Sequence, residues 1–307
     1  MHDGRAARRF RRTPPFFRRS HYLAPMELAA VAEYLAIGCA GGMLGSMLGL
    51  GGSTVVIPLA TMLLAPDKQQ LQAAAMVSNV AVALSALRRY HAMGAVDWTL
   101  ARRITPWALV AVLGGVAVSV VVTATPFRLL FALFLLVVAA RELHGALTRP
   151  DAAGAGAPGA STTPTPPTLA PRQAGAIGAA MGFISGLLGV GGGVVAVPLL
   201  RTWARLPVRE AAATSVCAMV PLSAVGAITK GATLAWSAPA QPGGTAPLLG
   251  AAWIALALVP GALLGGSLGA SMHKRLPAPV IHWVLILWLP ASALGMAIPP
   301  ILDWLRG

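Results

Sequence analysis

The chain has 307 residues, of which 56% are hydrophobic and only 10% charged, and it carries a formal net charge of +14. A soluble domain holds about 25% charged residues, so the composition excludes an ordinary soluble fold and predicts an all-α polytopic membrane protein whose first partner is the lipid bilayer. The basic excess does not predict a nucleic-acid partner, because seven arginines lie in the first nineteen residues and most of the rest flank apolar runs, as topology signals do.

Residues 1–26 read as a basic cytoplasmic tail, with Met26 as an alternative start. Arg8, Arg9 and Phe10 lack the context and cleavage site of a twin-arginine export signal. The first apolar region runs from Leu28 to Ala65 and is interrupted at Gly49 to Gly52. As one helix it would be almost twice as long as the roughly 30 Å hydrocarbon core is thick, so a full span followed by a shorter return segment is expected. Further spans are predicted over Leu71 to Leu87, Ile104 to Val122 and Phe127 to Ala140, the last two separated by Pro126. Residues 148–173 are rich in Pro, Ala, Gly and Thr and bury too little to fold, so they read as a flexible linker. The pattern then restarts, with Ala174 to Ala204 again broken by glycines, followed by Ala211 to Thr229, Leu248 to Ala270 and Val280 to Ile298.

The restart is an internal repeat. Gly42 to Leu59 aligns without a gap on Gly182 to Leu199, pairing Gly42/Gly182, Leu48/Leu188, Gly49/Gly189, Gly51/Gly191, Gly52/Gly192, Val55/Val195, Pro58/Pro198 and Leu59/Leu199. Composition alone would give roughly two matches, so a duplicated unit is inferred. Downstream, residues 78–86 fall opposite 214–222 if a few residues are gapped. The expected domains are therefore 27–147 and 174–307, about eight transmembrane helices in two four-helix repeats, each with a glycine-broken re-entrant segment. Counting Lys and Arg favours this arrangement. With re-entrant short segments and parallel repeats the split is sixteen inside against seven outside, whereas crossing segments and an inverted duplication give eleven against twelve.

Backbone that leaves the helix inside a membrane exposes polar groups at several kcal/mol each, and is kept where it lines a wet cavity or a ligand site. The short helices after Gly52 and Gly192 present free N–H groups and a positive dipole end, which suits an anion. Close helix packing is the alternative use of such glycines, and it is the better reading for Gly261, Gly265 and Gly269, which recur every four residues. A nucleotide loop is excluded because no Lys-Ser/Thr pair follows the glycines. The candidate substrate-binding residues are Gly51, Gly52, Ser53, Ser78, Asn79, Gly191, Gly192, Gly193, Thr214 and Ser215. Arg88, Arg89 and His91 read as topology signals at a span end.

Of the nine acids only Glu33 falls clearly within a predicted span, so no acid relay for proton pumping is evident. No catalytic triad or metal-ligand spacing occurs, and Cys39 and Cys217 read as small buried apolar residues. No enzyme activity, cofactor or metal is expected, and nothing in the sequence sets an oligomeric state. A membrane potential of about 100 mV, negative inside, favours exit by roughly 2.3 kcal/mol per anionic charge, which is enough to drive export.

The stretches at 41–59 and 182–200 resemble the paired signatures of the TauE/SafE sulfite exporter family, as do residues 90–98 and 211–232. The resemblance covers residues 27–300 apart from the linker. It implies a bacterial plasma-membrane permease exporting sulfite, organosulfonates or related small anions, with coupled uptake of a sulfur oxyanion or small carboxylate, or a non-transporting scaffold, as alternatives. The two half-sites differ, since Gly51-Gly52-Ser53 faces Gly191-Gly192-Gly193.

Overall fold

The computed structural model describes residues 28–48, 51–148, 169–237, 247–272 and 278–306. The basic tail and most of the linker lie outside the described residues. The described residues form ten helices, in chain order α1 (Leu28–Leu48), α2 (Ser53–Leu63), α3 (Lys68–Ala92), α4 (Trp98–Val121), α5 (Ala124–Thr148), α6 (Pro171–Leu188), α7 (Gly193–Trp203), α8 (Val208–Ser237), α9 (Pro247–Met272) and α10 (Ala278–Arg306). No strand occurs among the described residues. Among the described residues six helices are long and apolar enough to cross a membrane: α1, α3, α4, α5, α8 and α9.

Local sequence explains the boundaries. Asp67 Oδ1 accepts the N–H groups of Gln69 and Gln70 and starts α3, and Asp97 accepts from Leu100 and starts α4, both relieving the unpaired donors of a first turn. Pro171 opens α6, where Gln173 Oε1 accepts the N–H of Ala170. α6 ends at Gly189, and α7 begins after Gly192, whose φ of +74° suits glycine and strains other residues. α2 and α7 each have 11 residues, roughly 16 Å or about half the hydrocarbon thickness.

The polarity is inside out. Trp107, Val110 and Leu113 on α4, Leu133 and Val137 on α5, and Trp253, Leu256 and Leu264 on α9 are exposed, whereas Ser53, Gln72, Asn79, Ser119 and Lys230 are buried. Water would drive the reverse distribution, and hydrocarbon favours this one.

Glycine contacts fix the helix directions. Gly38 and Gly42 of α1 lie against Leu258 and Ala262 of α9, and Gly269 of α9 lies against Met43, so α1 and α9 run in parallel. Gly178 and Gly186 of α6 meet Ile104 and Val112 of α4, which are parallel too. α9 also runs with α3, since Gly250 lies beside Gln70 and Arg89 Nη2 donates to the Gly266 carbonyl at 3.0 Å. α8 runs against α3, with Gly226 beside Met76 and Lys230 beside Gln72. α4 also runs against α3, because Ser119 near its end bonds Gln72 while Trp98 at its start meets His91. Corresponding helices of the two halves, α1 and α6, α3 and α8, α4 and α9, thus point in opposite directions.

This overturns the parallel repeats expected from charge counting. The short helix is not confined to the far side. Gly52 already lies against Gly41 and Gly45, part-way back along α1, and Val56 packs on Gly41. Loop and short helix together therefore return the chain to the end where α1 began, and an odd number of traverses per half inverts the second half.

The glycines at 261, 265 and 269 pack helices, as their spacing suggests. A Cβ there would stand 2.0, 1.9 and 2.3 Å from the carbonyl oxygens of Leu35, Cys39 and Met43. Backbones at that separation gain dispersion and weak Cα–H···O contacts that larger residues forbid.

Candidate functional site: two glycine loops that meet

The two glycine breaks meet in the protein interior. A Cβ on Gly51 would lie 3.4 Å from Gly191 Cα, 3.3 Å from Met219 Sδ and 3.6 Å from Asn79 Oδ1. Gly51 has a φ of +86°, so the first loop depends on glycine both for its backbone and for this close approach. Gly191 is limited by space alone, since a Cβ there would stand 2.4 Å from Met219 Sδ.

Asn79 ties the two loops together. Its Oδ1 accepts the Ser53 N–H at 3.2 Å, while its Nδ2 donates to Ser53 Oγ at 2.9 Å and to the Gly189 carbonyl at 3.5 Å. Thr54 Oγ1 donates to the Gly51 carbonyl at 3.1 Å. In the second loop Ser185 Oγ donates to the Val190 carbonyl. The half-sites are chemically unequal. The leading N–H of α2 is capped by Asn79, whereas that of α7, at Gly193, has no such acceptor among the described residues. The positive end of α7 is the more open of the two.

Of the candidates named from sequence, Gly51, Gly52, Ser53, Asn79, Gly191, Gly192 and Gly193 lie at or beside this meeting point, all buried. Ser78 is buried beside Asn79 in the chain, and no hydrogen bond ties it to either loop among the described residues. Thr214 does not join the site, because its Oγ1 accepts the N–H of Asp97 at the α3–α4 turn. Ser215 is 1% exposed and its Oγ has no hydrogen-bond partner among the described residues; Ser223, fully buried, is in the same state. These two hydroxyls stand one turn before and one turn after Met219, on the α8 face that Met219 turns to the loops.

Sequence reasoning missed Met219 and Gln72. α3 starts at Lys68 and α8 at Val208, so the offset of the glycine motifs persists and Met219 is the counterpart of Asn79. The gapped pairing of 78–86 with 214–222 is therefore out of register by four residues. Gln72 packs on Gly189, and its Nε2 donates to the Leu187 carbonyl at 3.0 Å. The polar spacing Gln72–Asn79 along α3, two turns on one face, was the available signal.

Residues 34–296 match the family described as sulfite exporter TauE/SafE. The chain is 26% identical over 297 residues to the probable membrane transporter protein MamO of Magnetospirillum gryphiswaldense, covering 87% of this chain and 45% of that protein. MamO of Paramagnetospirillum magneticum is 25% identical over 298 residues, covering 88% and 45%. The chain thus spans less than half the length of these two relatives. The probable membrane transporter protein YunE of Bacillus subtilis is 25% identical over 275 residues, covering 82% of this chain and 91% of YunE. No solved structure matches. With the match running through both glycine loops and nearly every described helix, the chain belongs to the sulfite exporter TauE/SafE family.

Proposed function

We propose that the chain is a permease for small anions that exports sulfite or organosulfonates across the bacterial plasma membrane and performs no chemistry on them. The observation that carries the reading is the apposition of Gly51 and Gly191. Two half-length helices start there with their positive ends, in a protein interior sheathed by apolar side chains. The substrate oxyanion sits between the loops, held by backbone N–H groups near Gly52 and Gly193 and by the hydroxyls of Ser53 and Ser215, with the Asn79 amide setting the spacing. Met219 occupies the remaining gap and must move for the anion to pass. Helices α1–α5 and α6–α10 form the two halves, with α1, α3–α6 and α8–α10 as eight spans and α2 and α7 as half-spans.

Inversion of the halves changes the charge count. Arg88, Arg89, Arg102, Arg103, Arg141, Arg172, Arg201, Arg205 and Arg209 fall at one end, and Lys68, Arg128, Lys230 and Arg306 toward the other. Among the described residues this is nine against four, and the nine-residue end is taken as cytoplasmic. This puts the start of α1 and the seven tail arginines on the outer face, opposite to the orientation read from the tail, and over the whole chain the split is eleven against twelve.

The test is transport by purified protein in liposomes loaded with sulfite, sulfoacetate, thiosulfate or lactate under an imposed voltage. Voltage-driven efflux of sulfite or sulfoacetate that survives collapse of proton and sodium gradients is the expected result. Absence of flux for all four overturns the reading.

A further inference from the structure

The protein buries a lysine that forms no salt bridge among the described residues. Lys230, on α8, is 0% exposed. Its Nζ donates to Gln69 Oε1 at 2.7 Å, to Gln72 Oε1 at 2.6 Å and to Ser119 Oγ at 2.6 Å. All three ammonium hydrogens thus meet neutral oxygens. A second ammonium stands beside it, since Lys68 Nζ donates to the carbonyls of Ser119 and Val122. The two cations converge on one serine. Asp67 is next to Lys68 in the chain, but it is exposed and its Oδ1 caps α3 by accepting from Gln69 and Gln70. Neither lysine forms a salt bridge among the described residues.

Withdrawing an ammonium from water costs several kcal/mol even after the protein relaxes, and neutral acceptors recover part of it. Placing two like charges on one residue adds repulsion. A purely structural tie between α3, α4 and α8 is met at lower cost by neutral side chains, and an ionisable group inside a membrane marks function by default. Among the described residues the two cations outnumber the one carboxylate that acts on both, Asp67 at the exposed start of α3. The cluster is also wired to the second glycine loop. Gln72, which accepts from Lys230 and from Ser119 Oγ, donates to the Leu187 carbonyl and packs on Gly189.

We propose that Lys68 and Lys230, with Gln69, Gln72 and Ser119, form a second anion-binding station. It holds the same class of small oxyanion one step from the glycine loops, at the end where α3 begins. The inference rests on the permease reading above. Lys68, half-buried, receives the anion from the aqueous side. Lys230 then turns its hydrogens from the two amides to the oxyanion, exchanging neutral hydrogen bonds for charge-assisted ones about twice as strong. Gln72, released from the ammonium, is free to shift against the Leu187 carbonyl, which couples occupancy of the station to the second loop.

The test uses the full chain, purified and reconstituted, with inorganic sulfite as the probe, comparing wild type, Lys230→Met, Lys68→Met and Gly191→Ala for thermal stabilisation by sulfite and for efflux. Lys230→Met is expected to melt at or above the wild-type temperature without sulfite, and to need at least tenfold more sulfite for the same stabilisation. Lys68→Met is expected to need three- to tenfold more and to lose efflux in proportion. Sulfite stabilisation within twofold of wild type in both folded lysine variants overturns the station. If Lys230→Met does not fold, Lys68→Met decides, and its failure to weaken sulfite overturns the proposal. When wild type exports sulfite and Gly191→Ala does not, such a result removes the station alone. When wild type neither binds nor exports sulfite, the permease reading falls and the station with it.

Discussion

Asn79 and Gly189 lie 110 residues apart in the chain and are joined by a 3.5 Å hydrogen bond from Nδ2 to the carbonyl, so one side chain of the first half holds the glycine loop of the second. The same amide caps α2 through Ser53. Its replacement separates binding from folding. Asn79→Ala leaves buried polar groups unpaired at about 1–3 kcal/mol each and is expected to lower the melting temperature. Asn79→Asp still accepts the Ser53 N–H but puts a negative charge where the anion must sit. Efflux of sulfite from liposomes should fall at least tenfold in Asn79→Asp protein that remains monodisperse, and unchanged efflux would remove the anion from this position.

Gly191 and Met219 compete for one volume. Gly191→Ala forces the sulfur away from a Cβ that would stand 2.4 Å from it, and efflux is expected to drop several-fold. Adding Met219→Ala makes room, so the double variant should recover flux relative to Gly191→Ala. Gly51→Ala is not rescued in this way, because its positive φ costs an alanine about 1–2 kcal/mol whatever the space. Equal rescue at both positions contradicts the distinction.

Met219→Ala alone removes the side chain that fills the gap between the loops. The cavity lowers stability by about 2–5 kcal/mol, while the voltage-driven efflux rate should rise. A slower rate in folded protein shows that Met219 assists passage rather than blocking it.

Packing glycines behave differently. Gly265→Ala sets a methyl 1.9 Å from the Cys39 carbonyl and must push α9 off α1, at about 1–3 kcal/mol or more. Thermal melting should report the loss. Sulfite affinity of the folded fraction should stay within twofold of wild type, and a selective loss of affinity assigns this stripe to the site.

Orientation is checked by single cysteines in a background with Cys39 and Cys217 replaced by alanine. Thr123→Cys, between α4 and α5, and Met93→Cys, after α3, occupy exposed positions at opposite ends of α4. An impermeant maleimide applied to intact cells is expected to label Thr123→Cys at once and Met93→Cys only after permeabilisation. The opposite pattern reverses the orientation, and labelling of both from one side contradicts α4 as a span.

The glycine motifs announced themselves because a helix break inside an apolar run is visible locally, and their ungapped pairing predicted that Gly51 and Gly191 play equivalent parts. The direction of the halves was not legible, because it turns on whether an 11-residue helix returns the chain, and hydropathy is the same either way. In sequence Lys230 follows the apolar run Ala211 to Thr229, and charge counting with parallel repeats places it at the cytoplasmic end of that span. α8 runs on to Ser237 and encloses it, which a one-dimensional boundary does not reveal. Thr214 and Ser215 are candidates as hydroxyls inside a predicted span, and the gapped pairing that sets 214–222 opposite 78–86 is slipped by about one helical turn, which keeps side chains on nearly the same face and so looks plausible in sequence.

The exchange of partners between halves bears on biogenesis. The face of α1 that carries Gly38 and Gly42 fits α9, and α4 fits α6, so neither half completes its own contacts. While the ribosome is still making the second half, the small-residue groove of α1 lies open to lipid with its complement not yet translated. The insertion machinery must keep the early helices loosely gathered until α9 arrives. A chain cut short after α8 therefore strands that groove and becomes prey for membrane proteases, not a smaller working unit.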